Sequence, residues 1–129
     1  MADLRRILYV EDEPDIRAVA ELALSAVGGF EVRLCESGTE AIGAALDFRP
    51  DFILLDVMMP GMDGPETLKS LRSVPELAVI PVAFMTAKVQ PSEIEGYKAL
   101  GASDVIAKPF DPMTLADTVR KIWTESGAG

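Results

Sequence analysis

The feature that most constrains this chain is the repeated alternation of short apolar runs with segments of helical periodicity. Near-continuous apolar runs, typical of strands covered on both faces of a parallel sheet, occur at 7–10, 52–55 and 79–85. Weaker strand patterns cover 30–35 and 104–107. Five strands alternating with helices predict an α/β fold with a doubly wound five-stranded parallel sheet, five helices on its two faces and right-handed crossovers.

Helix signals fill the segments between these runs. In the first segment, apolar residues recur at helical spacing and end before Gly28: Ile16, Val19, Ala20, Ala23 and Val27. The other helices are predicted at 39–48, 65–72, 91–100 and 112–124. Proline is favoured at the first helical position, and it supports starts at Pro14, Pro65 and Pro112. Ser92 and Glu95 have the spacing of a capping box.

The composition limits the chemistry that this chain can perform. Its 129 residues include 21 acidic and 12 basic side chains, no histidine and one cysteine, Cys35, for a formal net charge of −9. This charge opposes direct binding to nucleic acid or to an anionic membrane. An internal disulfide, a zinc site and histidine-based catalysis are excluded because their residues are missing. Carboxylates, hydroxyls and lysines remain as candidate functional groups.

The length and the ends of the chain predict one soluble domain. A chain of this size buries a single core without staples, and we expect one domain over 1–129, with its core at about 5–124 and a flexible tail or clipped linker at 125–129. No signal-peptide pattern follows the N-terminus, and no apolar stretch approaches the roughly 20 residues that span a bilayer. The expected location is the cytoplasm.

The residues that follow the predicted strands carry the candidate chemistry. They are Glu11, Asp12 and Glu13 after the first strand, Asp56 after the third, Thr86 after the fourth and Lys108 after the fifth. In a sheet of order 2-1-3-4-5, ligands bind where the order reverses, between strands 1 and 3. Converging carboxylates there require a cation, and an all-oxygen ligand set selects a hard ion such as Mg²⁺. A lysine and a hydroxyl on the opposite side then complete an anion pocket.

Each of these residues also has an ordinary structural interpretation. Acidic residues at 11–13 suit a helix N-terminus, and Asp56 suits the turn that opens 58–64. Thr86 fits a strand-end hydroxyl and Lys108 a solvated side chain. The placement of all these groups at one edge of one sheet is what favours a shared site.

Four segments resemble the motifs of response-regulator receiver domains, the phosphoacceptor modules of two-component signalling. They are ILYVEDE at 7–13, LLDVMMPGMDG at 54–64, MTA at 85–87 and AKPF at 107–110. The similarity extends from Ile7 to Trp123. It implies a flavodoxin-like fold of strand order 2-1-3-4-5, and it implies a signalling switch rather than an enzyme acting on an external substrate.

The resemblance also implies a role for each carboxylate. Asp56 would accept a phosphoryl group from a histidine kinase or a histidine phosphotransfer protein. Asp12, Asp56 and the backbone carbonyl of Met58 would bind Mg²⁺ directly, and Glu11 would act mainly through water. The phosphorylated domain would then change its protein-binding surface toward a downstream protein target, whose identity the motifs leave open.

The remaining implied roles belong to the opposite side of the pocket. Thr86 would hydrogen-bond one phosphoryl oxygen and Lys108 would pair with another, and the family suggests a cis bond before Pro109. Met58 and Lys88 would flank the phosphoryl group and modulate the approach of water. The direction of that modulation stays open, and a solvated Lys88 without a role is an equally good interpretation.

One position departs from the family. The family commonly carries a rotating aromatic residue on strand 5, three residues before the lysine, where this chain has Val105. Because valine has no ring to rotate, the departure leaves two forms of output open: backbone shifts alone, or a different face of the domain.

Three other functions share this fold or these residue types. A Mg²⁺-dependent phosphohydrolase with an aspartate nucleophile typically has that residue after strand 1 and a second aspartate two positions later, which Asp12-Glu13-Pro14 does not supply. A flavin-binding electron carrier is disfavoured because the acidic loop 11–13 repels a cofactor phosphate. A receiver-like binding module that signals without phosphate is favoured only by Val105.

Overall fold

The computed structural model describes residues 3–127 and contains one five-stranded sheet. Its strands are β1 (Arg6–Val10), β2 (Glu31–Cys35), β3 (Phe52–Asp56), β4 (Val82–Thr86) and β5 (Asp104–Ala107). All neighbouring pairs are parallel and the order is β2-β1-β3-β4-β5. The doubly wound fold and the strand order 2-1-3-4-5 are therefore confirmed.

The helices cover both faces of the sheet. They are α1 (Pro14–Glu21), α2 (Gly38–Phe48), α3 (Gly64–Arg72), α4 (Pro91–Ala99) and α5 (Leu115–Glu125). After α1 the chain continues directly into a π-helical segment, Leu22–Val27. The sequence predicted one helix here, ending before Gly28, and the structure confirms that end while showing wider winding over the last six residues.

Two predicted starts are wrong, because local turns compete with the regular element. The fourth strand begins at Val82 rather than at residue 79, since 74–80 form successive turns that leave the Val79 side chain exposed. The fifth helix begins at Leu115 rather than at Pro112, because the Asp111 carboxylate accepts a hydrogen bond from the Met113 amide and holds a turn.

The capping box also lies elsewhere than predicted. Gln90, without a side-chain cap, precedes α4, so the Ser92 and Glu95 pairing is not formed there. A capping box is formed at α3, where Asp63 and Glu66 each accept the other's backbone N–H. This cap fixes the start of the helix that follows the loop after β3.

Two apolar layers hold the helices on the sheet. Alternate strand residues face opposite sides: Ile7, Tyr9, Phe52 and Leu54 pack toward α1 and α5, and Leu8, Val10, Ile53 and Leu55 toward α2 and α3. Burying each large apolar side chain contributes about 1.5–3 kcal/mol, so the central strands are the most strongly held part of the fold. Rigid central strands fix the positions of the residues at their carboxyl ends.

The fourth helix is held differently from the others. None of its residues, Pro91–Ala99, all of which the structure describes, is fully buried. Its main aromatic contact is an edge-on packing of the Tyr97 ring against Phe84 of β4, with ring centroids 5.1 Å apart. The helix is therefore the most lightly packed element over the sheet.

The C-terminal end of the described chain can be compared with the predicted tail at 125–129. Helix α5 continues through Glu125, one residue into the predicted tail, and Ser126 and Gly127 follow it. Residues 128 and 129 of that tail lie outside the described residues. Among residues 3–127, no helix has the length and apolar character needed to cross a membrane.

Candidate functional site

Three carboxylates meet at the carboxyl ends of β1 and β3. One oxygen from each of Glu11, Asp12 and Asp56 lies within 4.8 Å of the other two. The two strands are neighbours, with Val10 opposite Leu55, and this pairing brings the residues that follow them together. Glu11 is fully buried, Asp56 is 2% exposed and Asp12 is half-buried. The convergence predicted from the strand order is present.

Lys108 lies directly against these acids. Its Nζ donates to Asp56 Oδ1 at 2.8 Å and to Glu11 Oε1 at 3.0 Å. The sequence pattern predicts the lysine across the pocket from the carboxylates, whereas in the structure it bridges two of them. The reason is electrostatic: buried carboxylates need a nearby positive charge, and Lys108, at 17% side-chain exposure, supplies it.

One lysine does not balance three carboxylates, and the pKa values reflect this. Burial raises the pKa of Asp56 to about 6 despite the hydrogen bond from Lys108, and the charge of Glu11 adds to the rise. Burial also raises the pKa of Asp12, with Glu11 contributing. Burial opposes ionisation of Glu11 as well, but contacts from Lys108 and the Glu13 amide hold its pKa below the ordinary value. The cluster thus favours a further cation.

Further contacts orient Glu11. The Tyr9 hydroxyl donates to Glu11 Oε1 at 3.2 Å, and the Glu13 amide donates to Oε2 at 3.3 Å. Arg17 Nη1 donates to the Glu11 backbone carbonyl at 2.7 Å. Neither Tyr9 nor Arg17 is among the site residues predicted from the sequence. A signal for Tyr9 was available, because a tyrosine within a buried strand needs a partner for its hydroxyl.

The other predicted site residues lie at the same sheet edge. Thr86 ends β4 and is 3% exposed, and its hydroxyl oxygen accepts a hydrogen bond from the Lys88 amide at 3.0 Å. Lys88 itself is exposed. Met58 follows β3 by two residues, and 69% of it is exposed. The structure therefore places buried Thr86 at the sheet edge and both candidate modulators, Met58 and Lys88, in exposed positions of the loops that follow β3 and β4.

Comparison with known proteins identifies the family. The family model of the response regulator receiver domain matches residues 7–120. The chain belongs to this family. The DNA-binding response regulator MtrA of Mycolicibacterium smegmatis is 34% identical over 116 residues, which are 90% of this chain and 49% of MtrA. Response regulator Rre1 of Synechocystis is 35% identical over 95% of this chain and 53% of its own length. The receiver domain thus spans about half the length of these curated relatives.

Solved structures agree with this assignment. The chemotaxis response regulator CheY4 of Vibrio cholerae matches with a TM-score of 0.86 and 32% identity, covering 93% of this chain and 99% of that one. A putative response regulator from Chloroflexus aurantiacus matches with a TM-score of 0.84 and 33% identity, covering 95% and 99%. The receiver fold and the resemblance drawn from the motifs are confirmed.

Two features of the receiver domain concern the positions around Lys108. The peptide bond between Lys108 and Pro109 is cis, as the family suggested. Val105 is half-buried on β5 and packs against the same apolar layer as Tyr97 of α4. Aromatic rings are therefore present on this face, but Tyr97 of α4 and Phe84 of β4 carry them and β5 does not.

Gly64 closes the loop after β3 against the backbone of Asp56. A Cβ atom at Gly64 would lie 2.6 Å from the Asp56 carbonyl oxygen and 2.8 Å from the Val57 Cα, so no larger residue fits without a backbone shift. The Gly64 amide also donates to the Val57 carbonyl at 3.0 Å. The sequence motif therefore carries glycine here because of close backbone approach.

We expect Gly64→Ala to lower the free energy of unfolding by about 2 kcal/mol, because the added methyl group overpacks the Asp56 backbone. Urea denaturation followed by circular dichroism measures the change. Gly43→Ala is the matched control, since a Cβ atom at this exposed position of α2 meets no atom within 4 Å. The control should gain up to about 1 kcal/mol from helix propensity. Changes of the same sign in both variants would contradict the prediction.

Proposed function

We propose that this receiver domain is a phosphoacceptor switch in which the Asp56 carboxylate takes up a phosphoryl group as an aspartyl phosphate. The observation that carries the proposal is the contact of Lys108 Nζ with Asp56 Oδ1, 2.8 Å long, inside a buried carboxylate cluster. The sequence contains no histidine. A donor imidazole therefore lies outside these 129 residues, and we propose that a histidine kinase or a histidine phosphotransfer protein supplies it.

The proposed transfer exchanges a P–N bond for a P–O bond. The P–N bond of a phosphohistidine breaks, the imidazole leaves with the electron pair, and a P–O bond forms to the Asp56 carboxylate. A carboxylate is a weak nucleophile toward an anionic phosphoryl group, so the protein acts mainly by positioning and by neutralising charge. Lys108 supplies one positive charge. Burial lowers the pKa of Lys108, but the contacts with Asp56 and Glu11 raise it by more, so its pKa lies above the ordinary value and the amine stays protonated.

The donor set fits Mg²⁺. All candidate ligands are oxygen atoms, and three carboxylates share one site with a single lysine. We assign Asp12, Asp56 and the Met58 backbone carbonyl as direct ligands, and Glu11 as a ligand through water because Lys108, Tyr9 and the Glu13 amide already contact its oxygens. When bound, Mg²⁺ neutralises the carboxylates and the phosphoryl oxygens.

The remaining site residues act on the phosphoryl oxygens. Lys108 pairs with one oxygen, and the Thr86 hydroxyl, which accepts from the Lys88 amide, keeps its own proton to donate to another. This bond draws Thr86 and the loop after β4 toward Asp56 and changes the protein-binding surface. Exposed Met58 and Lys88 stand at the rim, where we assign them to control of water access and hence of phosphate lifetime.

A groove beside Lys108 is a candidate docking site for the protein that donates the phosphoryl group. It has a volume of about 230 Å³ and is lined by Ile16 and Val19 of α1 and by Pro109 and Phe110 after β5, with Lys108 at its edge. Lys108 both lines this groove and contacts Asp56, so a partner seated in the groove would lie beside the site. We assign the groove to the histidine-bearing partner.

We propose one receiver domain over 1–129 that acts in the cytoplasm, with a protein target as its output and no direct contact with nucleic acid or membrane. Its net charge of −9 supports the exclusion of nucleic acid and anionic lipid, because both bind through positive side chains. Its phosphorylation and dephosphorylation would be self-catalysed at Asp56.

The test is incubation with acetyl phosphate and Mg²⁺ followed by intact mass measurement. The wild-type chain should gain one base-labile, acid-stable phosphoryl group, and Asp56→Asn should gain none. Asp117→Asn, at an exposed aspartate of α5, is the matched control and should be modified like the wild type. An unchanged adduct on Asp56→Asn would overturn the assignment. Multiple turnovers of a phosphomonoester would instead support the phosphohydrolase, and partner binding unaffected by beryllium fluoride the phosphate-independent module.

A further inference from the structure

The buried Glu11 carboxylate is held by hydrogen-bond donors that differ in mobility. Its carboxylate is fully buried, and a buried carboxylate without hydrogen-bond donors is strongly destabilising. Two side chains, Lys108 and Tyr9, donate to its Oε1 atom. Lys108 ends in a flexible amine that also contacts Asp56, the residue to which the proposed phosphoryl group is added. The Lys108 contact is therefore the one that a change at Asp56 can weaken.

Tyr9 is a fixed donor. It lies in the middle of β1, paired with Leu34 of β2 and Leu54 of β3, and is fully buried. Because its ring is packed between sheet and helices, the hydroxyl can move little relative to Glu11. The Tyr9 hydroxyl donates to Glu11 Oε1 at 3.2 Å, and this donor is fixed by the packing of its ring.

We propose that Tyr9 is a positioning residue for the carboxylate pocket, whose hydroxyl holds the Glu11 side chain in place for Mg²⁺ independently of Lys108. This inference rests on the proposed function, since it concerns the same pocket. Tyr9 contacts neither Asp56 nor Asp12 through a hydrogen bond among the described residues, and it acts through Glu11 alone. Residues that hold metal ligands through hydrogen bonds commonly affect metal affinity by about 10-fold to 100-fold.

The first test is Mg²⁺ binding by isothermal titration calorimetry on Tyr9→Phe, which removes the hydroxyl and keeps the ring. We expect the dissociation constant to rise by about 10-fold. Tyr97→Phe is the matched control, because the chain has two tyrosines and Tyr97 packs on the opposite face of the sheet. A dissociation constant for Tyr9→Phe as close to wild type as that of Tyr97→Phe would overturn the inference.

Repeating the Tyr9→Phe measurement in a Glu11→Gln variant distinguishes positioning of Glu11 from a general loosening of the packing. If Tyr9 acts through Glu11, Tyr9→Phe should change Mg²⁺ affinity by less than about twofold when Glu11→Gln is already present, because coupled residues are not additive. An equal loss of affinity in both backgrounds would mean that the substitution only disturbs β1, and would overturn the proposal.

A third measurement needs no substitution at Tyr9. Fluorotyrosine labelling gives two ¹⁹F resonances, and Tyr97→Phe identifies which belongs to Tyr9. The Tyr9 resonance should shift on addition of Mg²⁺ while that of Tyr97 stays in place; a stationary Tyr9 resonance would contradict the inference. Failure of the proposed function looks different, since the wild type would then bind Mg²⁺ but gain no phosphoryl group from acetyl phosphate.

Discussion

Lys108→Met is expected to lower the free energy of unfolding by about 3 kcal/mol at neutral pH in EDTA, the largest loss expected of any substitution considered for this domain. The amine contacts Asp56 Oδ1 and Glu11 Oε1 at 2.8 and 3.0 Å, and all three side chains are largely removed from water. Methionine fills similar space without the charge, so two buried carboxylates lose their counter-ion. Urea denaturation in EDTA measures the loss.

The chain offers a matched control for this substitution. Lys98 also pairs with an aspartate, Asp104, but at 3.8 Å and with half of the lysine side chain exposed. Exposed pairs contribute about 0–1 kcal/mol, so Lys98→Met should change stability little. Combining Lys108→Met with Asp56→Asn should recover most of the loss, because the second change removes one uncompensated charge. Equal losses in the two lysine variants would refute the buried counter-ion role.

Asp56→Asn is expected to raise the free energy of unfolding by about 3 kcal/mol at neutral pH in EDTA. Burial, and then the charge of Glu11, raises the pKa of Asp56 from 3.8 to about 6 in the folded protein, and each unit corresponds to about 1.4 kcal/mol. The sign follows from linkage: the folded state binds this proton more tightly than the unfolded state. Stability from Asp56 is therefore present below pH 4 and is lost as the pH rises toward about 6.

The pH dependence distinguishes this effect from general stabilisation. The stability difference between Asp56→Asn and wild type should be small near pH 4 and should grow up to about pH 6, because Asp56 titrates over this range and groups away from the pocket titrate alike in both proteins. Urea denaturation across this range in EDTA gives the curve. Asp117→Asn, at an exposed position of α5, should show no such growth. A variant less stable than wild type at pH 7, or a difference that does not vary with pH, would refute the prediction.

Local patterns predicted the architecture and which residues the structure brings together at one edge of the sheet. The central strands are continuous apolar runs because both faces are covered, so their positions could be read directly, as at Phe52–Asp56. The acidic, hydroxyl and lysine groups that follow the strands were found because parallel strands share one functional edge. Boundaries failed where a turn competed locally, as at Asp111 before α5.

Contacts between side chains distant in sequence were not predictable in the same way. Lys108 and Glu11 are 97 residues apart. The hydrophobic periodicity of the sequence contains no information on whether the amine bridges two acids or lies across the pocket from them. The Tyr9 contact with Glu11 is local, but Tyr9 occupies an apolar position of β1, where only the need of a buried hydroxyl for a partner distinguishes it from an ordinary core residue. The widening of the helix at Leu22–Val27 shifts hydrogen-bond partners without changing which residues are apolar.

The light packing of α4 has a consequence for the free energy that signalling requires. Regions with few buried apolar contacts open locally at a small fraction of the global unfolding free energy. Helix α4 begins five residues after buried Thr86 and is anchored mainly through the Tyr97 ring. A bias of one or two hydrogen bonds at Thr86, about 1–3 kcal/mol, would act directly beside this lightly packed helix. Under the proposed function, a carboxylate pocket held by rigid central strands lies beside a lightly packed helix whose conformational populations a single modification at Asp56 would redistribute.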